Sequence, residues 1–476
     1  MNLSKIFILA SFLLYICSVH SQFTWTRILG GPSNDISWSS ITLKDSNFLI
    51  IGEKTVRHIS NNYLIPQSYI VKFNRQGSII WERSYGDSIF SNFTYSVRED
   101  PFGNLYMASN WDLPKLLKID SYGNVLWQKT YEVPIIDFAG LQFIDNFKNL
   151  LIVGRNDTNG YLTTSLTKID TSGILLWTKS YADDYYFATP SNGLLCSKEG
   201  YYLIGNRVGA PSNFGFYLCT DTSGSIRWKK YISHRVGFVS LCQNSERTFI
   251  ATGNRSDLGG LYCLKFDIFG DTLWQRSYVL DSLETGYSII KTLKNNFAIA
   301  TAGYEGKGKF VIIDSLSNIL NTYVQHYSQN DNVSYQSISN AADSGFFISG
   351  YIEPNNMGSV DILAVKTDKF GNTTPIGITN ESEPASEFAL DLVSYPNPFN
   401  SNTIIEVKYA GKNFLKIELY NSIGQYIATL FANYVSNAIR FSFMPERYSL
   451  SSGIYFLRAV SINSNISVTK RLSYIK

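Results

Sequence analysis

Apolar and polar positions alternate along this chain in short runs, and the same arrangement returns at nearly even intervals. The clearest instance is Lys118-Ile119-Asp120-Ser121-Tyr122-Gly123-Asn124-Val125-Leu126-Trp127-Gln128-Lys129-Thr130-Tyr131, which reads as strand, tight turn, strand. Near-copies run from Lys168 through Gly173 to Trp177 and Tyr181, and from Lys265 through Gly270 to Trp274 and Tyr278. Looser ones are Asn74 to Gly77 with Trp81, and Asp221 to Gly224 with Trp228. Asp314 to Ser317 has Asn321 in place of the tryptophan, and Asp368 to Gly371 is followed by none.

Aligned on Trp25, Trp81, Trp127, Trp177, Trp228, Trp274 and Asn321, the units are spaced by 56, 46, 50, 51, 46 and 47 residues. A period of this size is that of propeller blades. Each unit carries four strand signals: a Ser-Ile strand (A), an apolar run ending in glycine (B), a run ending in Lys-x-Asp (C) and the tryptophan strand (D). Helical periodicity is absent. The chain begins on a lone D strand, Phe23 to Leu29, and the array ends on a lone C strand, Ile362 to Asp368. Pairing those two closes the array, so the pattern predicts an all-β, seven-bladed β-propeller over residues 22–373, closed by its N-terminal strand.

The repeated residues have structural roles. Asp or Asn at the start of each turn accepts a backbone hydrogen bond from two residues on, and the glycine supplies a positive φ. The tryptophan is expected to fill the layer between blades, and the Lys of Lys-x-Asp to pair with that Asp. The Asp turns hold too few oxygen ligands for calcium. Antiparallel order then puts the short A-to-B and C-to-D turns on one face. The variable B-to-C and D-to-A loops fall on the other, the longest being Glu53 to Ser68 with Arg57 and His58. Others carry Trp111-Asp112, Asn156-Asp157, Asp183-Asp184-Tyr185-Tyr186, His234-Arg235 and His326-Tyr327.

The candidate ligand-face residues are therefore Trp111, Tyr185, Tyr186, His58, His234 and His326. Aromatic loop residues suit stacking on a sugar or peptide, and equally suit loop anchoring. Three histidines could make a metal site, but solvated loop residues in separate blades are the simpler reading. No cofactor and no metal ligands are assigned. For catalysis only Asp183, Asp184, His234 and His326 come into question, and they form no recognisable constellation.

Composition adds the destination. Aromatic residues make up 15% and charged residues 17% of the 476, and the formal charge of +3 offers no electrostatic case for a nucleic-acid partner. Lys5 followed by the apolar run Ile6 to Ile16, with Val19-His20-Ser21 before Gln22, predicts a secretory signal peptide over residues 1–21. A lipoprotein signal using Cys17 is disfavoured by Ile16. No later run is long enough for a transmembrane helix. Cys196, Cys219, Cys242 and Cys263 remain, with a disulfide and small buried thiols both open.

The repeat stops at Thr374. Residues 374–390 have linker composition, and 391–476 alternate again as short strands at Thr403 to Val407, Phe414 to Leu419, Tyr426 to Leu430, Ile439 to Phe443 and Ile454 to Ala459, predicting a small Ig-like β-sandwich. The motif Tyr395-Pro396-Asn397-Pro398-Phe399-Asn400, the turn at Leu419 to Gln425 with Gly424, the run Gly453-Ile454-Tyr455-Phe456 and the basic Lys470-Arg471 resemble the type A sorting domain of the type IX secretion system. One strand, Asn437 to Phe443, departs from the Gly-x-His-x-x-x-Trp-like pattern of many members.

The resemblance implies that this segment is an export address recognised by the secretion machinery. The protein would pass through the periplasm to be secreted or held on the outer cell surface, with the propeller as cargo. The blade unit also resembles propeller repeats of quinoprotein dehydrogenases and outer-membrane assembly lipoproteins, typically eight-bladed, but no quinone-contacting residues can be matched. The expected function is binding or adhesion toward a glycan, peptide or protein. The alternative is an extracellular enzyme, a glycan hydrolase or lyase or a quinoprotein-like oxidoreductase, on the variable-loop face.

Overall fold

The computed structural model describes residues 23–475 except 31–32, 58–63, 87–92, 111–112, 133–134, 159–160, 182–186, 198–199, 209–213, 233–234, 258, 281–283, 304–306, 329–330, 354–358, 374–390, 423–424 and 462–465. The chain divides into two units, residues 1–376 and 377–476.

The first unit is all-β and propeller-like. Five four-stranded antiparallel sheets follow in chain order over residues 35–85, 93–130, 135–181, 187–231 and 236–278. Residues 286–326 and 332–366 make two further four-stranded sets, joined into one eight-stranded sheet where Ala302 pairs with Ser334 and Gly303 with Val333. The second of these sets borrows its outer strand from the N-terminus. Trp25–Leu29 pairs antiparallel with Asp361–Lys366, and Trp25 lies opposite Lys366, as the two orphan strands require. Each sheet's A strand packs on the next, and Asp35–Thr42 packs on Asn332–Asn340 and Phe346–Glu353, so the run of sheets returns on itself.

Burial follows strand position. In the B strands consecutive residues such as Leu49, Ile50 and Ile51 are fully buried, because both faces of each sheet are covered by neighbours. D strands form the outer edge and expose pairs such as Ile79-Ile80 and Val125-Leu126.

Their tryptophans reach across to the C-to-D turn of the following sheet. Trp81 Nε1 donates to Ser121 O at 3.0 Å, Trp228 Nε1 to Ile268 O at 2.9 Å, Trp274 Nε1 to Ser315 O at 3.1 Å, and Trp25 Nε1 to Arg75 O at 3.0 Å. The tyrosine four residues on completes the clasp: Tyr85 Oη donates to Gly123 O at 2.7 Å and Tyr131 Oη to Gly173 O at 2.9 Å. Gly123 has φ +85° and its absent Cβ would lie 3.3 Å from the Trp81 ring, so glycine serves both the turn and the docking. Asp120 Oδ1 accepts from Tyr122 N at 2.9 Å and from Asn124 N at 2.8 Å, the turn chemistry expected of it.

Two expectations about the repeat need correction. Only Trp25 and Trp81 are buried, while Trp127, Trp177, Trp228 and Trp274 are half-buried: each packs against the apolar cluster between its own sheet and the next, but at the edge of that layer, over the turn, and not wholly inside it. The lysine before the turn does not pair with the Asp two residues on. Lys72, Lys168 and Lys366 reach across their own sheets to the A-to-B turn acids Asp45, Asp145 and Asp343 at 2.9, 2.7 and 2.8 Å.

The second unit is one five-stranded sheet. The two pairs of runs expected around 403–419 and 426–443 are single long strands, Thr403–Asn421 and Tyr426–Phe443, forming a hairpin. Buried positions Ile405, Val407, Leu415, Ile417 and Leu419 keep odd parity throughout. A strand can therefore continue through Ala410-Gly411 without turning its apolar side outward. Strands Asp391–Tyr395 and Ile466–Tyr474, not expected from the pattern, complete the sheet.

Candidate functional site

The A strands line the axis of the first unit, and each carries an irregularity. A residue is bulged out of register at Trp38, Tyr95, Ala139, Val239, Tyr287 and Gln336. The glycine ending the B strand belongs to this bulge. A Cβ on Gly52, Gly154, Gly253 or Gly350 would fall 1.8–2.0 Å from the carbonyl oxygen of the facing A strand.

The residue after the bulge is serine in most sheets, and it ties neighbours together. Ser96 Oγ accepts from Leu141 N at 3.2 Å, Ser240 Oγ from Ile289 N at 3.2 Å, Ser288 Oγ from Ile338 N at 3.4 Å, and Ser337 Oγ from Ser40 N at 3.0 Å. The last of these joins the final sheet to the first. These serines are thus spent on the scaffold, and the bulged Trp38, Tyr95, Tyr287 and Gln336 border the axis.

That axis holds a cavity of about 240 Å³ lined by Trp38, Tyr95, Gly140, Leu194, Tyr287 and Gln336 among others. Toward the B-to-C loops, Trp38 and Tyr95 lie with ring centroids 5.8 Å apart, and Phe93 stacks on Tyr95 at 6.2 Å.

Acidic groups gather beside the rings. Burial, reinforced by the Asp35 charge, pushes the Glu53 carboxyl up to about 7 against the pull of the Trp38 indole. Trp38 Nε1 and Glu53 Oε2 nevertheless complete no hydrogen bond of ordinary geometry. Burial also raises Asp35, although Oδ1 accepts from Thr55 N at 3.0 Å and Lys54 acts the other way. On the far side of Tyr95, Arg155 is paired with Asp137, whose Oδ1 has no partner. Burial first, then Glu53 and Asp137, push the Tyr95 hydroxyl up to about 12. The arrangement offers an aromatic platform, a carboxyl that is part-protonated near neutral pH, and, among the described residues, buried polar atoms that complete no hydrogen bond of ordinary geometry.

Of the candidates read from sequence, Trp111, Tyr185, Tyr186, His58 and His234 lie outside the described residues, as do Asp183 and Asp184. His326 is exposed at the end of the strand Ile319–His326, opposite Lys307. Tyr327 packs inward, its Oη 3.0 Å from that of Tyr335. The loop expected from Glu53 to Ser68 is largely strand, since Phe48–Arg57 and Leu64–Phe73 pair along their lengths. Asn156-Asp157 likewise ends a strand, with Asn156 Nδ2 donating to Ser180 Oγ at 2.9 Å.

Trp38, Glu53 and Tyr95 were missed because they sit within strands. A signal existed: Trp38-Ser39, Tyr95-Ser96 and Tyr287-Ser288 place an aromatic before serine at the same point of the unit. Among the described residues no cluster of three or more His, Cys, Asp or Glu side chains could hold a metal ion. Cys196, Cys219, Cys242 and Cys263 are free thiols.

In the second unit the motif at 395–400 clamps the final strand. Asn397 Nδ2 donates to Arg471 O at 2.7 Å and its Oδ1 accepts from Ser473 N at 2.8 Å. Phe399 is buried against Phe443 and Tyr474, with its backbone bonded to Ser473 and Ile475. Thr403 Oγ1 donates to Pro396 O at 2.6 Å, whereas Tyr395, Pro398 and Asn400 are exposed. Gly453 opens the strand Gly453–Ser461, and Tyr455 is buried with its Oη on Ser451 O at 2.7 Å. Gly424 lies outside the described residues. Residues 393–474 match the family described as secretion system C-terminal sorting domain.

This segment is a sorting domain. It marks the protein for export by the type IX secretion system to the cell surface or the extracellular space, and implies interaction with that machinery. Among the described residues no helix is long and apolar enough to cross a membrane.

No curated protein matches the chain. Among solved structures it is similar to PorZ, a bacterial surface component of the type IX secretion system of Porphyromonas gingivalis, with 12% identity, TM-score 0.42, and coverage of 94% of this chain and 60% of that one. The chain thus spans about three fifths of PorZ. It is also similar to BamB from Moraxella catarrhalis, with 12% identity, TM-score 0.39, and coverage of 72% and 96%. A puromycin hydrolase gives 10% identity, TM-score 0.50, and coverage of 79% and 59%. This last likeness supports the fold class and nothing further.

Proposed function

We propose that the protein is an exported binding protein, a closed seven-bladed propeller delivered by its sorting domain and holding a glycan, peptide or protein ligand at the B-to-C end of its axis. Seven A strands bordering one cavity, and the Ser337-to-Ser40 bond between last and first sheets, support the blade count. For the sorting domain an Ig-like sandwich remains our reading, with the two halves of the long hairpin as its layers. The observation that carries the binding reading is the pairing of the Trp38 and Tyr95 rings with the unsatisfied Glu53 and Trp38 polar atoms, since buried polar atoms are ordinarily matched within a protein. A ligand presenting hydroxyl or amide groups beside an apolar face would satisfy both. In sequence Trp111 falls between strands Leu105–Asn110 and Pro114–Ile119, and Tyr185 and Tyr186 precede Phe187–Cys196, and we retain them as candidate ligand residues.

A glycan and protein array probed with the intact protein tests this. Capture of a defined ligand, lost in Trp38→Ala and weakened in Trp111→Ala or Tyr185→Ala, is expected; no capture on a broad array refutes it. A second reading is favoured by the Glu53 carboxyl alone: a group titrating near 7 is suited to general acid catalysis of glycan cleavage. Product release from an array glycan by the wild type but not by Glu53→Gln would select that reading. Deleting residues 395–476 should leave the protein in the periplasm, and undiminished export would refute the sorting role in this chain.

A further inference from the structure

Below the aromatic platform the axis narrows at two side chains from adjacent sheets. Arg98 and Gln142 border both the 240 Å³ cavity and a wider one of about 940 Å³ that opens among the A-to-B turns. Arg98 Nε donates to Gln142 Oε1 at 3.0 Å and Nη1 to Val97 O at 2.7 Å. The other end of the Gln142 amide is committed, Nε2 donating to Leu194 O at 3.4 Å. Gln142 therefore holds the guanidinium across the axis and presents it only a neutral acceptor.

Among the described residues no carboxylate is paired with Arg98. The acids lining the wider cavity are Glu99, Asp145 and Glu246, and the cations are Lys44 and Arg98. Glu99 accepts from Lys44 N at 2.8 Å, and Asp145 is paired with Lys168 at 2.7 Å. Among the described residues the ionisable neighbour acting on Arg98 is the Cys196 thiol. Burial pushes that thiol up to about 12, which keeps it neutral at physiological pH. Enclosure alone lowers the guanidinium to about 10. Arg98 is half-buried and open to both cavities, and a partly desolvated cation without a counter-charge is one that proteins ordinarily pair. A guanidinium offers more donors than the two used here, in a planar fork that suits bidentate contact with an oxyanion.

We propose that Arg98 is the core of an anion site on the propeller axis, taking a small oxyanion, a carboxylate or a phosphate, that enters from the wider cavity. Gln142 is its positioning residue. Arg98 shares the 240 Å³ cavity with Trp38 and Tyr95 but makes no use of their rings, so this proposal stands or falls separately from the ligand platform.

The experiment is calorimetric titration of the intact protein with inorganic phosphate and, separately, with acetate at constant ionic strength, alongside melting curves. Saturable binding of at least one probe with a matching rise in melting temperature is expected, weakened by at least about tenfold in Arg98→Gln. Gln142→Glu places a carboxylate beside the guanidinium. It should raise the melting temperature without added anion and abolish the anion-dependent rise, and it decides the matter should Arg98→Gln not fold. Absence of saturable binding by both probes at millimolar concentration, or an undiminished anion-dependent rise in folded Gln142→Glu, overturns the proposal. Trp38→Ala should leave anion binding unchanged, which separates this site from the ligand platform.

Discussion

The two ends of the propeller handle their polar groups in opposite ways. At the C-to-D turns, indole N–H groups, tyrosine hydroxyls and Asp side chains meet backbone partners in one sheet after another. Toward the B-to-C loops, Trp38 Nε1, Glu53 Oε2, Asp137 Oδ1, Asn156 Oδ1 and Gln325 Nε2 are buried and unmatched. Unmatched buried polar atoms are destabilising. The difference teaches that the repeated face holds the disc together, while the other end carries groups whose presence stability does not explain.

The sharpest way to break this contrast is to remove a clasp. Trp81 is 8% exposed and hydrogen-bonded, so Trp81→Ala should cost about 3–5 kcal/mol in chemical denaturation. Trp38→Ala should cost much less, because that ring is half-buried and its N–H is unbonded. Equal losses would erase the distinction. Next is Gly77→Ala. With φ +81° and a Cβ position 2.5 Å from the Trp25 ring, it should lose about 1–3 kcal/mol in thermal unfolding at the seam between first and last sheets.

A smaller effect is expected at the other end. The Glu53 carboxyl titrates near 7 in the folded protein and near 4.5 when unfolded. The folded state therefore binds its proton more tightly, and stability from this group falls as pH rises from about 4.5 through 7. Glu53→Gln should flatten that decline and gain about 1–2 kcal/mol at pH 8, less than the full shift because the carboxyl is incompletely buried and solvent screens it in part. A decline of the same size in the variant would assign it to Asp35 or another acid. Smallest is Lys168→Met. Its partner Asp145 is half exposed, so a loss of about 0–1 kcal/mol is expected.

The sorting domain shows how far pattern reading reaches. Its strands were placed from alternation, yet Thr403–Asn421 proved continuous where a break was expected, since Ala410-Gly411 interrupts the apolar run without changing its parity. The motif residues Asn397 and Phe399 were recognisable as a signature, but their clamp on Ser473 and Ile475 spans more than 70 residues and had no local sign.

For the propeller, what the sequence alone determined was the repeat, the strand order, the turn chemistry of Asp120 and Gly123, and the closing pair of Trp25 with Lys366. Each depends on neighbours a few residues apart, or on counting strands. Tertiary structure decided the rest. Glu53 and Trp38 come from one sheet, Tyr95 from the second, Asp137 and Arg155 from the third, and they meet only because each A strand bulges at the same level. The bulge faces a glycine in the first and third sheets and Ala108-Ser109 in the second, and its direction depends on packing around the axis, so no single stretch of chain contains the site.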